Sequence, residues 1–163
     1  MDKFAVVIPF YQRDSGILIK AVHPILAQTL SANQIKIIIV DDASPSRARD
    51  ELAHLADRIT IIEQANSGPA AARNKGLNSV PGDVQFVAFL DSDDAWAPEH
   101  LENARIALGG NDFYFADHYQ LGQTIGAFAR AGRIDPSEHP AIGRSGNLHR
   151  YKGTCSARSL RAT

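Results

Sequence analysis

Four short apolar runs, at residues 4–8, 35–40, 59–63 and 84–90, each break off at a polar or glycine-bearing cluster. Between them lie stretches with helical spacing. Runs this short and rich in Val, Ile and Phe read as buried strands. Ile17, Leu18, Ala21, Val22, Ile25 and Leu26 recur at the helical period. Pro9 is expected to stop the first strand, and Pro24 to kink or end the first helix. Further helices are expected over 46–56, over 70–78 behind Pro69, and from Pro98 to Gly109-Gly110. A fifth strand is expected within 112–119. Strand–helix alternation with short connections implies an α/β chain whose central sheet is mostly parallel and flanked by helices.

In such sheets ligands bind at the carboxyl ends of the strands, where the strand order reverses. The unusual polar residues sit at those ends: Tyr11, Asp41-Asp42, Asn66-Ser67-Gly68 and Asp91-Ser92-Asp93-Asp94. Carboxylates crowded at one strand exit repel one another unless a cation sits among them. A hard divalent ion with oxygen ligands suits the acidic turn, with diphosphate oxygens completing its shell. The alternative is an acid-rich helix start in which Asp94 caps the helix. Asp41-Asp42 suits either hydrogen bonds to a base or ribose or a turn before Ser44-Pro45. Tyr11 offers a stacking face or is a half-buried surface aromatic. Ser67-Gly68-Pro69 leading into Arg73 and Lys75 suits an anion site, or else a solvated helix face.

Composition removes other classes. The chain has 163 residues, one domain or a large part of one. Lys plus Arg total 17 against 18 Asp plus Glu, so no basic field points to nucleic acid. Cys155 is the sole cysteine, which excludes an internal disulfide and points to a reducing compartment. The apolar run after Met1 is too short for a signal segment. No run has transmembrane length. A cytoplasmic protein is expected, with peripheral membrane attachment left open. The P-loop pattern is absent, and no G-x-G-x-x-G follows the first strand, which argues against a dinucleotide dehydrogenase. An Asp-nucleophile phosphatase would carry its acidic motif after the first strand rather than the fourth. Beyond Gly122 the pattern weakens among glycines, prolines and basic residues. The expected division is 1–119, with 120–163 an incomplete second half or an irregular tail.

Taken in order, four stretches resemble family 2 glycosyltransferases. They are Val6-Val7-Ile8-Pro9-Phe10-Tyr11, Ile39-Val40-Asp41-Asp42-Ala43-Ser44, the segment from Asn66 to Gly76, and Phe89-Leu90-Asp91-Ser92-Asp93-Asp94. Leu26-Ala27-Gln28-Thr29 fits as well. The resemblance implies a Rossmann-like GT-A nucleotide-diphospho-sugar transferase fold, with residues 1–119 holding the donor. It implies that Pro9 and Tyr11 line the base pocket, that Asp42 contacts the base, and that Arg73, with Asn66 and Gly68, helps hold the nucleotide. Asp91 and Ser92 would lie near ribose and phosphate, and Asp93 would ligate Mn²⁺ or Mg²⁺. The donor would be a nucleoside-diphosphate sugar, UDP-linked by family frequency. The acceptor would be a glycan, glycolipid or polyprenyl-linked sugar of a surface polymer.

Family members transfer with inversion, through an acidic base in the acceptor half. Here no acidic residue follows Glu138. Asp117 is a weak candidate for the base, and a catalytically silent donor-binding fragment is the competing expectation.

Overall fold

The computed structural model describes residues 2–109, 111, 113–116 and 156–159. Among them, strands β1 (Phe4–Phe10), β2 (Ile35–Asp41), β3 (Ile59–Glu63), β4 (Phe86–Phe89), β5 (Phe113–Phe115) and β6 (Ser156–Ser159) form one sheet, in the order β3-β2-β1-β4-β6-β5. The first four strands of that order are parallel, and β6 runs antiparallel to both β4 and β5. Helices α1 (Leu18–Leu26), α2 (Ala48–Glu51), α3 (Gly68–Leu77) and α4 (His100–Leu108) fill the connections.

The strand period of two explains why both sheet faces are apolar. Phe4, Val6, Ile8 and Phe10 point to one side, where Leu18, Val22 and Ile25 of α1 and Leu101 and Ala104 of α4 bury them. Ala5 and Val7 point to the other, with Ile38, Val87 and Leu77. On that second face α3 packs against β1 and β2 through its small residues. A Cβ built on Gly76 would lie 2.4 Å from Val7 Cγ1, so only glycine permits this separation.

Several boundaries differ from expectation, each for a physical reason. β1 continues through Pro9 to Phe10. Alternate residues of β1 face opposite neighbours: the Phe10 carbonyl accepts from Asp42 N–H, and the Val7 carbonyl accepts from Leu90 N–H. Pro9 shares Val7's side, and the β1–β4 ladder ends at Val7 opposite Phe89, so its missing N–H forfeits no rung. Helix α1 is not stopped by Pro24: the proline lies inside it and the helix runs on to Leu26. In place of a helix over 46–56 there is the single turn of α2. After Leu52 the bonds tighten to the i→i+3 pattern, with Leu55 N–H on the Leu52 carbonyl at 2.9 Å. The helix expected from Pro98 starts at His100. β6 lies in the stretch expected to be irregular or incomplete, and it carries no apolar alternation to announce it. Asp117 lies outside the described residues.

Candidate functional site

The chain builds β1, β2 and β3 outward in one direction, then places β4 on the opposite side of β1. The carboxyl ends of β1 and β4 therefore diverge into connections on opposite sides, which opens a crevice. A cavity of about 590 Å³ occupies it. Pro9, Tyr11, Asp42, Asn66, Gly68, Arg73, Asp91, Ser92 and Asp93 all line it. The nine residues that the resemblance assigns to donor and metal are thus brought to one pocket, whereas Asp41, Ser67, Lys75 and Asp94, weighed beside them in the sequence, do not line it. Phe10, Pro69 and Ala72 line it too and were not anticipated, although each is the chain neighbour of a motif residue. Tyr11 stands at the rim with 47% of its surface exposed, a ring face available for stacking.

The adjacent carboxylates of β2 are used differently. Both oxygens of Asp41 accept from its own connection, from Ser44 N–H at 2.7 Å and Ala48 N–H at 2.9 Å. Asp41 is therefore the turn residue and the cap of α2. Asp42 reaches the other way. One oxygen accepts from Gln64 Nε2 at 2.7 Å and Ser67 N–H at 2.8 Å, and the other from Gly68 N–H at 2.8 Å. No side chain of α3's own first turn caps that helix, so Asp42 caps it from across the sheet. Gly68 adopts a left-handed φ of +86°, which glycine tolerates and which presents its N–H to Asp42. Burial would raise the Asp42 pKa, but the bonds from Gln64, Ser67 and Gly68 outweigh it, and the carboxyl is held below its ordinary range. Gln64 is a supporting residue that sequence reasoning missed, because a lone glutamine after a strand carries no signal.

The acidic turn follows β4 and closes on itself, with Asp94 N–H donating to the Asp91 carbonyl at 3.0 Å. Its carboxylates separate by environment. Asp91 pairs with the Arg73 guanidinium, which joins the turn to α3. Ser92 is buried and accepts from Gln12 Nε2 at 3.2 Å. Asp94 is buried. Asp93 is exposed on the cavity wall, and none of the hydrogen bonds among the described residues uses its carboxylate. No group of three or more His, Cys, Asp or Glu side chains that could cage a metal occurs among the described residues. A single open carboxylate on the wall of this cavity suits Mg²⁺ or Mn²⁺, which bind through one or two carboxylates and fill their shell with phosphate oxygens and water. The donor set fits an ion that arrives with the nucleotide.

The segment after the turn is clamped by α1's C-terminal connection. Gln28 donates through Nε2 to the Ala97 carbonyl at 2.6 Å and accepts through Oε1 from Leu101 N–H at 2.9 Å. Thr29 N–H donates to the Pro98 carbonyl at 2.9 Å. Those bonds explain why Gln28-Thr29 belongs with the motifs despite its distance from the cavity. Behind the segment, His100 stacks on Trp96 with ring centroids 4.5 Å apart. Burial pushes the His100 imidazole down to about 4, so it is neutral near pH 7.

A mostly parallel sheet with its pocket at the order switch and an acidic turn at the pocket wall defines the class, a GT-A glycosyltransferase fold. The chain belongs to glycosyl transferase family 2, whose family model matches residues 5–159. It is 46% identical over 132 residues to the succinoglycan biosynthesis protein ExoW of Rhizobium meliloti, covering 71% of this chain and 41% of that protein. It is 41% identical over 102 residues to TuaG of Bacillus subtilis, a putative teichuronic acid biosynthesis glycosyltransferase, covering 60% of this chain and 38% of TuaG. Among solved structures, TarS 1-349 of S. aureus in complex with UDP-GlcNAc superposes with a TM-score of 0.66 at 24% identity, over 76% of this chain and 36% of that one. The mannosyltransferase PcManGT of Pyrobaculum calidifontis, in complex with GDP-Man and Mn²⁺, gives 0.63 at 22% identity, over 72% and 35%. At these identities the structures establish the fold alone. The chain spans less than half the length of these relatives.

Proposed function

We propose that this chain is the donor-binding part of an inverting glycosyltransferase that uses a nucleoside-diphosphate sugar, UDP-linked, and a divalent cation. Its product would be a cell-surface polysaccharide or glycolipid. The observation that carries the reading is the convergence of four separated motifs on one 590 Å³ cavity at the sheet's order switch. The polymer syntheses named for ExoW and TuaG support the product class. The nucleotide sugars named in the TarS and PcManGT complexes support the donor class, and the manganese named with PcManGT supports the ion.

The roles follow from placement. Residues 1–119 hold the donor. Tyr11 offers its ring to the base, beside Pro9. Asp42 holds the first turn of α3, with Asn66 and Gly68 beside it, so that Arg73 on that helix faces the anionic part of the donor. Asp91, fixed by Arg73, and Ser92 meet ribose and phosphate oxygens. Asp93 holds Mn²⁺ or Mg²⁺, which when bound neutralises charge on the departing diphosphate. In transfer, an acceptor oxygen forms a bond to the anomeric carbon as the bond to phosphate breaks, and a base removes the acceptor's proton. The acceptor would be a glycan, glycolipid or polyprenyl-linked sugar. No helix among the described residues is long and apolar enough to cross a membrane. Work at the cytoplasmic membrane surface suits such acceptors.

Calorimetric titration with UDP, GDP and dTDP, with and without Mn²⁺, tests the reading. UDP is expected to bind with Mn²⁺ and more weakly without it. A folded sample that gives no heat with any of the three rejects the proposal. Binding of UDP with no acceptor-stimulated UDP release rejects transfer by this chain and retains donor binding alone.

A further inference from the structure

Building on the donor-site reading, we propose that Gln12 is a positioning residue whose side-chain amide turns the Ser92 hydroxyl into the pocket as a donor to the nucleotide's anionic oxygens. Gln12 follows Tyr11 at the exit of β1. Its backbone is held at several points: its N–H donates to Ser44 Oγ at 2.8 Å, and its carbonyl accepts from Ser44 Oγ at 2.8 Å and from Ser46 N–H at 3.0 Å. Ser44 is itself fixed, since its N–H donates to Asp41 at 2.7 Å. The exits of β1 and β2 are thus stapled together, and the Gln12 side chain is carried on a rigid base. That side chain crosses to the exit of β4, where Nε2 donates to Ser92 Oγ at 3.2 Å.

The direction of this bond decides its effect. An amide NH₂ group only donates, so Ser92 Oγ is the acceptor and its own hydrogen must point elsewhere. Ser92 is 5% exposed and lines the cavity, so its hydroxyl hydrogen has the cavity as a place to meet a phosphate oxygen. On the other side of Ser92's neighbour, Arg73 holds Asp91. The turn is therefore gripped from β1 through Gln12 and from α3 through Arg73, leaving Asp93 as its open carboxylate. A hydroxyl turned in advance toward an anion contributes more than one that must reorient, because the ordering is complete before the ligand arrives.

The experiment compares wild type, Gln12→Met, Gln12→Ala, Ser92→Ala and the double variant Gln12→Ala/Ser92→Ala. UDP affinity is read by calorimetry with Mn²⁺, uridine affinity by NMR titration, and folding by thermal melts. Methionine keeps the length and bulk of Gln12 and removes the donor. We expect Gln12→Met and Gln12→Ala each to weaken UDP binding about tenfold, the scale of one hydrogen bond to a charged group. Uridine, which has no phosphate, should bind each Gln12 variant as it binds wild type. The double variant should lose no more than Ser92→Ala alone. Three results overturn the assignment: a Met variant that binds UDP like wild type, additive losses in the double variant, or uridine affinity falling by the same factor as UDP affinity. If Gln12→Ala does not fold, Gln12→Met/Ser92→Ala takes its place in the comparison. Failure of the wild type to bind UDP at all is a different result. It rejects the donor-site reading, and this inference with it.

Discussion

Asp41 and Asp42 are the same residue one step apart, and the strand geometry sends them to opposite tasks. Asp41 stays within its own turn, while Asp42 holds a helix N-terminus and lines the pocket. Asp42→Ala should lower stability by about 1–3 kcal/mol, the cost of leaving part-buried N–H groups unpaired. Asp42→Asn, which keeps one acceptor oxygen, should lose less; equal losses in urea melts would contradict the capping role. Because the Asp42 carboxyl is held below its ordinary value, its contribution is present above that value and fades as pH falls through the lowered one. Asp93 is the contrasting case. It is exposed and takes part in no hydrogen bond among the described residues, so Asp93→Ala should leave the melting temperature unchanged. The same variant should abolish the gain in UDP affinity on adding Mn²⁺, and an undiminished gain would reject Asp93 as the ligand. Tyr11→Ala should weaken UDP binding by about 1–3 kcal/mol if its ring carries the base. A loss no larger for UDP than for inorganic diphosphate would reject stacking.

At the scale of the element, α3 is set by what it lacks. Its alanines and Gly76 let it lie close on β1 and β2, and this brings Arg73 within reach of Asp91. Gly76→Val should overpack this contact and cost about 1–3 kcal/mol. It should also weaken nucleotide binding, since the whole helix must lift. A valine variant as stable as wild type in denaturant titration would show that the helix gives way freely. The elements whose side chains carry their own signal were legible in the sequence. Runs of Val, Ile and Phe announced β1 to β4, and Pro69 announced the start of α3. The pocket was legible for a related reason: its polar residues lie just past strand ends, and the α/β topology gathers such ends on one edge. The misses came from contacts with distant partners. Pro9 looks like a stop until the short reach of β4 leaves its side of β1 without a rung. Gln12 and Gln64 act through residues 80 and 22 positions away, and no local pattern marks them. β6, with the sequence Ser-Ala-Arg-Ser, is a strand because β4 and β5 present it with backbone partners.

For the whole molecule, the neutral core couples folding to acidity. His100 is 7% exposed, and burial lowers it from 6.5 to about 4. Between those values the unfolded chain binds a proton that the folded chain refuses. The penalty is absent above about pH 6.5 and grows as pH falls toward 4, at about 1.4 kcal/mol per unit, to roughly 3 kcal/mol. Urea melts at pH 7 and pH 5 should therefore differ by about 2 kcal/mol in wild type. His100→Phe, which preserves an aromatic stack on Trp96, should flatten most of that difference. An unchanged slope would place the acid sensitivity elsewhere. Another whole-molecule consequence lies in the route by which β5 reaches the sheet. Among the described residues it joins the sheet through β6 alone, and forty residues separate the two strands along the chain. On a ribosome β1, β2 and β3 emerge first and pair with one another and with β4, whereas β4 has one edge, and β5 its whole place, still untaken as they leave the exit tunnel. Both must wait for a stretch not yet translated, so this side of the domain is the last to set.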